Sequence, residues 1–227
     1  MTSFAVLSDF DGTLVTVDIP EHILKVSVGD SYLVYDHLYL QGKISLEECI
    51  KKEYSLITWS EHEILTEVDR VTSFRPNADK FVRFCLQNGI IFGIASAGID
   101  FTIRHLMRKM LDGRFDENEI HVFAGESKAS LRGLKIRFKK YDNSDALDLK
   151  DDALKTLKAN GNKVIYIGDG SSDFGAIRAA DLRITVKGSV LSDFCRKNNL
   201  SYLEFDDFLE VIKIVHEFRN GSGKHGS

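Results

Sequence analysis

The chain has 227 residues, of which 43% are hydrophobic and 28% are charged. This balance is typical of a folded globular protein and excludes a disordered chain. The formal net charge of −4 argues against a nucleic-acid binder that works by neutralising phosphates. The three cysteines, Cys49, Cys85 and Cys195, are widely spaced, which favours reduced thiols over disulfides or a zinc site.

The first residues carry no basic leader, and no apolar run approaches the length of a membrane span. We therefore expect a cytoplasmic protein, either a monomer or a homodimer, with neither a membrane nor a nucleic acid as partner. The glycine- and serine-rich segment 221–227 is expected to be a disordered tail.

The first predicted element is a strand over 4–7, because Phe-Ala-Val-Leu is a continuous apolar run of the kind buried on both faces of a parallel sheet. Asp9 and Asp11 follow it, and then Gly12. Two carboxylates this close need a counter-charge, which Mg²⁺ could supply at the carboxyl end of a strand. Asp-Gly is also common in turns, so the segment alone leaves a simple turn open.

Residues 16–74 have a helical pattern. Asp18 and Pro20 are typical of a helix start, and capping boxes begin at Ser45 and Ser60. We expect a small helical cap domain over 16–74, inserted into a core formed by residues 1–15 and 75–220.

From residue 75 onward, helices and strands alternate, which predicts a doubly wound α/β fold with a parallel sheet. A weak alternation over 121–138, around Leu131 to Gly133, suggests a hairpin. Strands are predicted over 90–95, 164–167 and 182–186, and helices over 78–87, 99–111, 150–159, 173–180, 190–197 and 206–218.

Polar residues stand where these strands end: Asp9 and Asp11, then Ser96, then Asp169 and Asp173, with Lys150 at a helix start. The carboxyl ends of parallel strands open into one crevice, so these groups are expected to converge. Each has an ordinary alternative, since Ser96 and Asp173 could cap helices and Lys150 could lie on the surface. Together, four carboxylates, one lysine and one hydroxyl suit a divalent cation and a phosphoryl group.

These segments resemble the four motifs of the haloacid dehalogenase-like superfamily of phosphohydrolases, in the right order along the whole chain. The insertion after the first motif is similar to the cap of the phosphoserine phosphatase subgroup. The segment 95–100 and the spacing from Lys150 to Asp169 are similar to the methionine-salvage enol phosphate phosphatases. The quoted motifs are Asp9-Phe10-Asp11-Gly12-Thr13-Leu14, Ser96, Lys150 and Gly168-Asp169-Gly170-Ser171-Ser172-Asp173.

The resemblance implies a Mg²⁺-dependent phosphatase acting on a small phosphate ester. Asp9 would be the nucleophile that forms an aspartyl-phosphate, and Asp11 the general acid and base. Gly12 would let the backbone approach the phosphate, and Thr13, in the same turn, would be a further phosphate-binding residue. Ser96 and the Ala97 N–H would bind phosphoryl oxygens, and Lys150 would neutralise their charge. Mg²⁺ would be held by Asp9, the Asp11 carbonyl and Asp169, with Asp173 in the outer shell.

Substrate choice is expected to depend on the cap. In phosphoserine phosphatases a cap acid and a cap arginine meet the amino acid, and these positions align with Asp18 and Glu53 here. A glutamate at the arginine position would repel a carboxylate, which disfavours phosphoserine unless Lys51 or Lys52 substitutes. The alternatives are a helix N-cap for Asp18 and a solvated helix face for Glu53. The named candidate substrate is the methionine-salvage enol phosphate, 2-hydroxy-3-keto-5-methylthiopentenyl-1-phosphate.

Two other classes of function stay open at this point. A phospho-acceptor signalling module also places aspartates, Mg²⁺, a hydroxyl and a lysine at sheet ends, but it is about half as long and has no inserted cap. The second class is a catalytically silent binding protein, which the intact motif residues argue against.

Overall fold

A six-stranded sheet organises the protein. The computed structural model describes residues 3–130, 132–139 and 142–221. The strands run in the order β3-β2-β1-β6-β7-β8, and every neighbouring pair is parallel. Their bounds are β1 Ser3–Ser8, β2 Ile91–Ala95, β3 Ile120–Phe123, β6 Asn162–Gly168, β7 Leu182–Val186 and β8 Leu203–Phe205.

The sheet is covered on both faces, as the apolar strands predict. In β1, Val6 belongs to one hydrophobic cluster while Ala5 and Leu7 belong to the other, since successive side chains point to opposite faces. Helices α5 (Ala78–Gln87), α6 (Asp100–Met110) and α10 (Phe208–Arg219) contribute to the first cluster, and α7 (Leu149–Ala159), α8 (Phe174–Ala179) and α9 (Val190–Lys197) to the second. This arrangement confirms the doubly wound α/β prediction.

The segment 16–74, called the helical insert below, contains four α-helices and a 3₁₀ turn. Val15 and Phe74 form an antiparallel bridge, so the chain leaves and re-enters the α/β core at one place. Apolar residues of the insert, among them Ile23 and Ile64, are continuous with the first cluster. The elements are α1 Ile19–Val28, the 3₁₀ turn Gly29–Tyr32, α2 Leu33–Leu40, α3 Leu46–Tyr54 and α4 Glu61–Val71.

The hairpin prediction was right only in part. β4 (Glu126–Lys128) and β5 (Lys135–Arg137) pair antiparallel, but Ile120–Phe123 forms the parallel edge strand β3 of the main sheet. Alternation alone does not distinguish these two kinds of strand, because both have one covered face. Leu131, at the expected turn, lies outside the described residues, as do residues 222–227 of the expected tail.

The loop of this hairpin touches the end of α3. The Leu134 N–H donates to the carbonyls of Tyr54 (3.1 Å) and Ile57 (2.8 Å). Gly133 has a φ of +105°, and a Cβ there would lie 2.1 Å from the Ser55 carbonyl oxygen. Only glycine permits this approach, so the hairpin holds the insert against the core.

None of the helices in the described part of the chain is both long and apolar enough to cross a membrane.

Candidate active site

Asp9 follows directly from the last residue of β1, at the carboxyl edge of the sheet. Its N–H donates to the Ile167 carbonyl (2.8 Å), so the ladder between β1 and β6 continues through it. Its Oδ1 accepts from the Phe10 N–H (2.7 Å) and faces Lys150 Nζ at 2.8 Å. The side chain is held in one orientation at the edge of a cleft, and the residue is only 5% exposed.

Lys150 lies in the first turn of α7, whose N-cap is Asp148. Its ammonium contacts Asp173 Oδ1 at 2.6 Å as well as Asp9, and it donates to Ser172 Oγ (2.9 Å). The residue is 4% exposed. Burial by itself lowers the pKa of Lys150, but the carboxylates of Asp173 and Asp9 outweigh it and raise that pKa. Lys150 is therefore a buried cation held between two carboxylates, and the surface alternative is wrong.

Asp173 is fully buried and its carboxylate is already saturated with donors. Lys150 and the Tyr166 hydroxyl (2.7 Å) bind Oδ1, while the N–H groups of Asp169 (3.0 Å) and Gly170 (2.9 Å) bind Oδ2. A carboxylate has about four acceptor positions, so little capacity is left for a direct metal bond. The outer position of Asp173 around a metal ion stays a prediction, and these contacts are compatible with it.

Asp169 follows from β6 and lies against the segment after β1. Thr13 donates its hydroxyl to Asp169 Oδ1 (2.8 Å), and a Cβ at Gly12, where φ is +74°, would lie 2.3 Å from Asp169 Oδ2. The glycine makes room for this carboxylate. Thr13 is fully buried and does not line the cleft. Its hydroxyl orients Asp169, which disagrees with the prediction that Thr13 binds the phosphate.

Asp11 and Ser96 meet at the mouth of the cleft. Asp11 Oδ2 accepts from Ser96 Oγ (3.2 Å), and its Oδ1 accepts from the N–H of Ile19, the first residue of α1 (3.2 Å). Burial, and next the nearby Asp18 carboxylate, raise the pKa of Asp11 to about 7. A carboxyl group in this range can both give and take a proton near neutral pH.

Ala97 offers a hydrogen-bond donor to an anion, whereas Ser96 offers one only if its hydroxyl turns away from Asp11. Ser96 follows from β2, and its Oγ also accepts from the Gly98 N–H (2.9 Å). The Ala97 N–H has no hydrogen-bond partner among the described residues, and Ala97 lines the cleft. This is the position predicted for binding phosphoryl oxygens.

The carboxylates at the sheet edge fit a cation. One oxygen from each of Asp9, Asp169 and Asp173 lies within 4.8 Å of the others. Burial, and next the negative charge of Asp173, raises the pKa of Asp9 well above its ordinary value, although Lys150 acts in the opposite direction. Burial also raises the pKa of Asp169. A single ammonium does not offset three carboxylates, so Asp9 and Asp169, which are less fully hydrogen-bonded than Asp173, suit a hard divalent ion with oxygen ligands.

The cleft, about 390 Å³ in volume, runs from these residues to the helical insert. Asp18 lines it and is also the N-cap of α1, accepting from the Glu21 N–H (2.9 Å), so the N-cap alternative is correct. Glu53 lines the cleft and is only 7% exposed, so the solvated-face alternative is wrong. Lys51 and Lys52 are exposed and do not line the cleft, so neither replaces the missing arginine.

Comparison with known proteins identifies the family. The model of the haloacid dehalogenase-like hydrolases matches residues 6–178. The chain belongs to this family. The match confirms the resemblance of the motifs and identifies the chain as a hydrolase, against the alternative of a signalling module.

This hydrolase is also similar to several known proteins. It is 26% identical to the bifunctional enzyme MtnB/MtnX of Bacillus licheniformis over 93% of its length, but spans only 49% of that relative. It is 24% identical to the 2-hydroxy-3-keto-5-methylthiopentenyl-1-phosphate phosphatase of Brevibacillus brevis, and the alignment covers 92% of this chain and 93% of the relative. A substrate-bound phosphoserine phosphatase has the same fold, with a TM-score of 0.68, 19% identity and coverage of 94% and 99%.

Three residues of the site of this hydrolase were not predicted. The hydroxyl of Tyr166, in β6, binds Asp173. Arg75 donates to the carbonyls of Gly12 (2.6 Å) and Thr13 (2.8 Å) and so fixes the turn after β1. Tyr54 is fully buried and donates to the Ala97 carbonyl at 3.4 Å, joining α3 to the loop after β2. Nothing in the local pattern marks these residues, because their partners are distant in sequence.

Proposed function

We propose that the protein is a Mg²⁺-dependent phosphoric monoester hydrolase that cleaves a small phosphorylated metabolite through an aspartyl-phosphate on Asp9. The observation that carries this proposal is the joint position of Asp9, Lys150 and Asp11 around one end of the cleft. We also take the helical insert as a cap, because it forms the opposite wall of that cleft.

In the first step the Asp9 carboxylate attacks phosphorus while the ester oxygen leaves. Asp11 gives its proton to that oxygen, so the leaving group departs as an alcohol. Ser96 and the Ala97 N–H bind the phosphoryl oxygens, and Lys150 balances their charge.

In the second step water attacks the phosphorus of the aspartyl-phosphate. Asp11, now ionised, takes the proton from the water, the bond between phosphorus and Asp9 breaks, and inorganic phosphate leaves. The Asp9 and Asp169 carboxylates and the Asp11 carbonyl would hold Mg²⁺, which supplies positive charge against the phosphoryl oxygens.

The lining of the cleft bears on the substrate. Lys150 is the only cationic side chain among the described residues that line it. A phosphoserine carboxylate would meet Glu53 and Asp36 at the insert, where an enzyme for that substrate needs a cation. We therefore propose an uncharged organic moiety. The enol phosphate named for the relative from Brevibacillus brevis is the candidate, and phosphoserine is the alternative.

The test is a phosphate-release assay with p-nitrophenyl phosphate and a panel of phosphorylated metabolites, with Mg²⁺ or with EDTA. Asp9→Asn keeps the shape of the side chain and removes the nucleophile, so turnover should fall by roughly 10³-fold or more while the protein stays folded. Near-normal activity of the folded variant would refute the role of Asp9. A stable phosphorylated protein without phosphate release would instead favour a phospho-acceptor module.

A further inference from the structure

Arg75 lies directly after the helical insert, and its side chain binds the turn that follows β1. Its N–H donates to the Leu14 carbonyl (2.9 Å). Its guanidinium binds two consecutive carbonyls, with Nη2 donating to Gly12 (2.6 Å) and Nε donating to Thr13 (2.8 Å). Arg75 does not line the cleft, so any effect it has on the reaction passes through other residues.

The two peptide groups that Arg75 binds are held at both ends. The Gly12 carbonyl and the Thr13 N–H belong to one peptide group, and the Thr13 carbonyl and the Leu14 N–H belong to the next. Both N–H groups donate to the Phe10 carbonyl, at 3.2 and 2.9 Å, while both carbonyls accept from Arg75. Because a guanidinium is planar and presents its donors in a fixed fork, it fixes the orientation of the two carbonyls that it binds.

This turn touches two of the expected cation ligands. The Thr13 hydroxyl donates to Asp169 Oδ1 (2.8 Å), which is the only hydrogen bond to this carboxylate among the described residues. Gly12 lies so close to Asp169 that an added Cβ would be 2.3 Å from Oδ2. Asp11 directly precedes the fixed peptide groups, and no donor in the described part of the chain binds its carbonyl. A displacement of the turn would therefore move both the Asp11 carbonyl and the Asp169 carboxylate.

We propose that Arg75 is a positioning residue for the Mg²⁺ site. By binding two carbonyls of the turn after β1, it holds the Asp11 carbonyl and the Asp169 carboxylate in place before the ion binds. This role rests on the proposed function, because Mg²⁺ belongs to the mechanism given there. Ligands that are ordered in advance lose less freedom when the ion binds, and removal of groups that orient metal ligands lowers metal affinity by about 10- to 100-fold.

The charge of Arg75 acts in the opposite direction to its geometry. A guanidinium repels Mg²⁺, so the loss of its charge alone would make the binding of the ion tighter. Arg75 is only partly buried, however, and water weakens this repulsion. We expect the loss of the fixed turn to have the larger effect. Arg75→Met removes both the fork and the charge, whereas Arg75→Lys keeps the charge and replaces the planar fork by a point charge.

Arg183 in β7 offers a matched control. Its guanidinium also binds two consecutive carbonyls, with Nε donating to Ile177 (2.8 Å) and Nη2 donating to Arg178 (3.0 Å). Arg183 is likewise only partly buried and does not line the cleft. Arg183→Met and Arg183→Lys therefore remove the same kind of contact from a part of the fold that holds no expected cation ligand.

The first measurement is the Tm of each protein at increasing MgCl₂ without substrate, with NaCl added to keep the ionic strength constant. The rise in Tm with concentration gives the apparent Kd for Mg²⁺. Arg75→Met should raise this Kd by about tenfold or more, and Arg75→Lys should give a value between those of Arg75→Met and the wild type. Both Arg183 variants should keep the wild-type Kd, even where their Tm is lower.

The second measurement is hydrolysis of p-nitrophenyl phosphate at the same Mg²⁺ concentrations. The concentration that gives half-maximal activity should rise in the Arg75 variants by the same factors as the Kd. Most of the lost activity should return at saturating Mg²⁺, because Arg75 contacts neither the nucleophile nor the cleft. A variant that was merely less stable would lose activity without this dependence on Mg²⁺.

The results distinguish this role from the proposed function. Binding of Mg²⁺ by Arg75→Met as tight as in the wild type, or tighter, would overturn the positioning role. An unchanged Kd in Arg75→Lys would also overturn it, and this variant decides the question if Arg75→Met does not fold. An equal rise of the Kd in the Arg183 variants would assign the effect to lower stability instead. A wild-type protein whose Tm and activity do not respond to Mg²⁺ would overturn the proposed Mg²⁺-dependent function, and the role of Arg75 with it.

Discussion

Glu53 allows a sharp prediction about stability and pH. Its carboxyl group is buried in the wall of the cleft beside Asp36, and burial raises its pKa from 4.5 to about 7. Glu53→Gln keeps the size of the side chain and makes it neutral at every pH. The variant should match the wild type in acid and become more stable than it as the pH rises.

The sign follows from proton binding. Between about pH 4.5 and 7 the folded protein holds a proton on Glu53 that the unfolded chain has lost, so the free energy of unfolding falls as the pH rises. The full shift corresponds to about 3 kcal/mol. Because Glu53 borders a cleft open to water, we expect about 2 kcal/mol, or about 4–8 °C in Tm for a chain of this size.

The assay is thermal unfolding of the wild type, Glu53→Gln and Glu217→Gln at pH 5, 6, 7 and 8. Glu217 is an exposed carboxyl on α10, so its variant controls for the loss of one charge. The other buried carboxyl groups titrate in all three proteins and cancel in the differences. A constant difference in Tm between Glu53→Gln and the wild type over this range would refute the argument that Glu53 is protonated in the folded protein.

Three further predictions concern the rest of the site. Asp11→Asn should slow hydrolysis of the aspartyl-phosphate more than its formation, so that intact-mass measurement detects a phosphorylated protein, and absence of that species would contradict the second role of Asp11. Mg²⁺ at a hundredfold excess over its Kd should stabilise the fold by about 2.7 kcal/mol. The resulting increase in Tm should be reversed by EDTA and absent in Asp169→Asn. An equal increase in that variant would refute the role of Asp169 as a Mg²⁺ ligand. Gly133→Ala should destabilise the protein by about 2 kcal/mol or more, measured by urea unfolding, because its Cβ would meet the Ser55 carbonyl. Gly113→Ala, also at positive φ but with nothing within 4 Å of the added Cβ, is the control, and an equal loss there would show that the contact is unimportant.

The sheet edge could be predicted because each of its residues is tied to a strong local signal. Asp9 and Asp169 follow continuous apolar runs, and buried parallel strands must present their carboxyl ends on one side. Convergence is then a consequence of topology and needs no knowledge of side-chain packing. The order of the motifs along the chain also predicted the family, and the match to the family model confirms that prediction.

The insert end of the cleft could not be predicted in the same way. Its residues depend on how α2 and α3 pack against each other, and α2 has a weak pattern, with Val34 and Leu40 both exposed. Glu53 directly follows two exposed lysines, Lys51 and Lys52, so its burial is a tertiary effect that propensity and charge do not reveal.

The two ends of the cleft offset the negative charge of their carboxylates in different ways. At the sheet edge, Asp9 and Asp169 lie beside a carboxylate that is already bound by Lys150, so the remaining negative charge is best offset by a divalent cation. At the insert, Asp36 and Glu53 have no cationic partner among the described residues of the cleft, and a retained proton lowers their repulsion instead. A metal ion attracts a phosphate, whereas a carboxyl pair that keeps one proton still carries negative charge and repels a carboxylate. The charge pattern of the cleft therefore favours the phosphate at the sheet edge and disfavours a carboxylate at the insert.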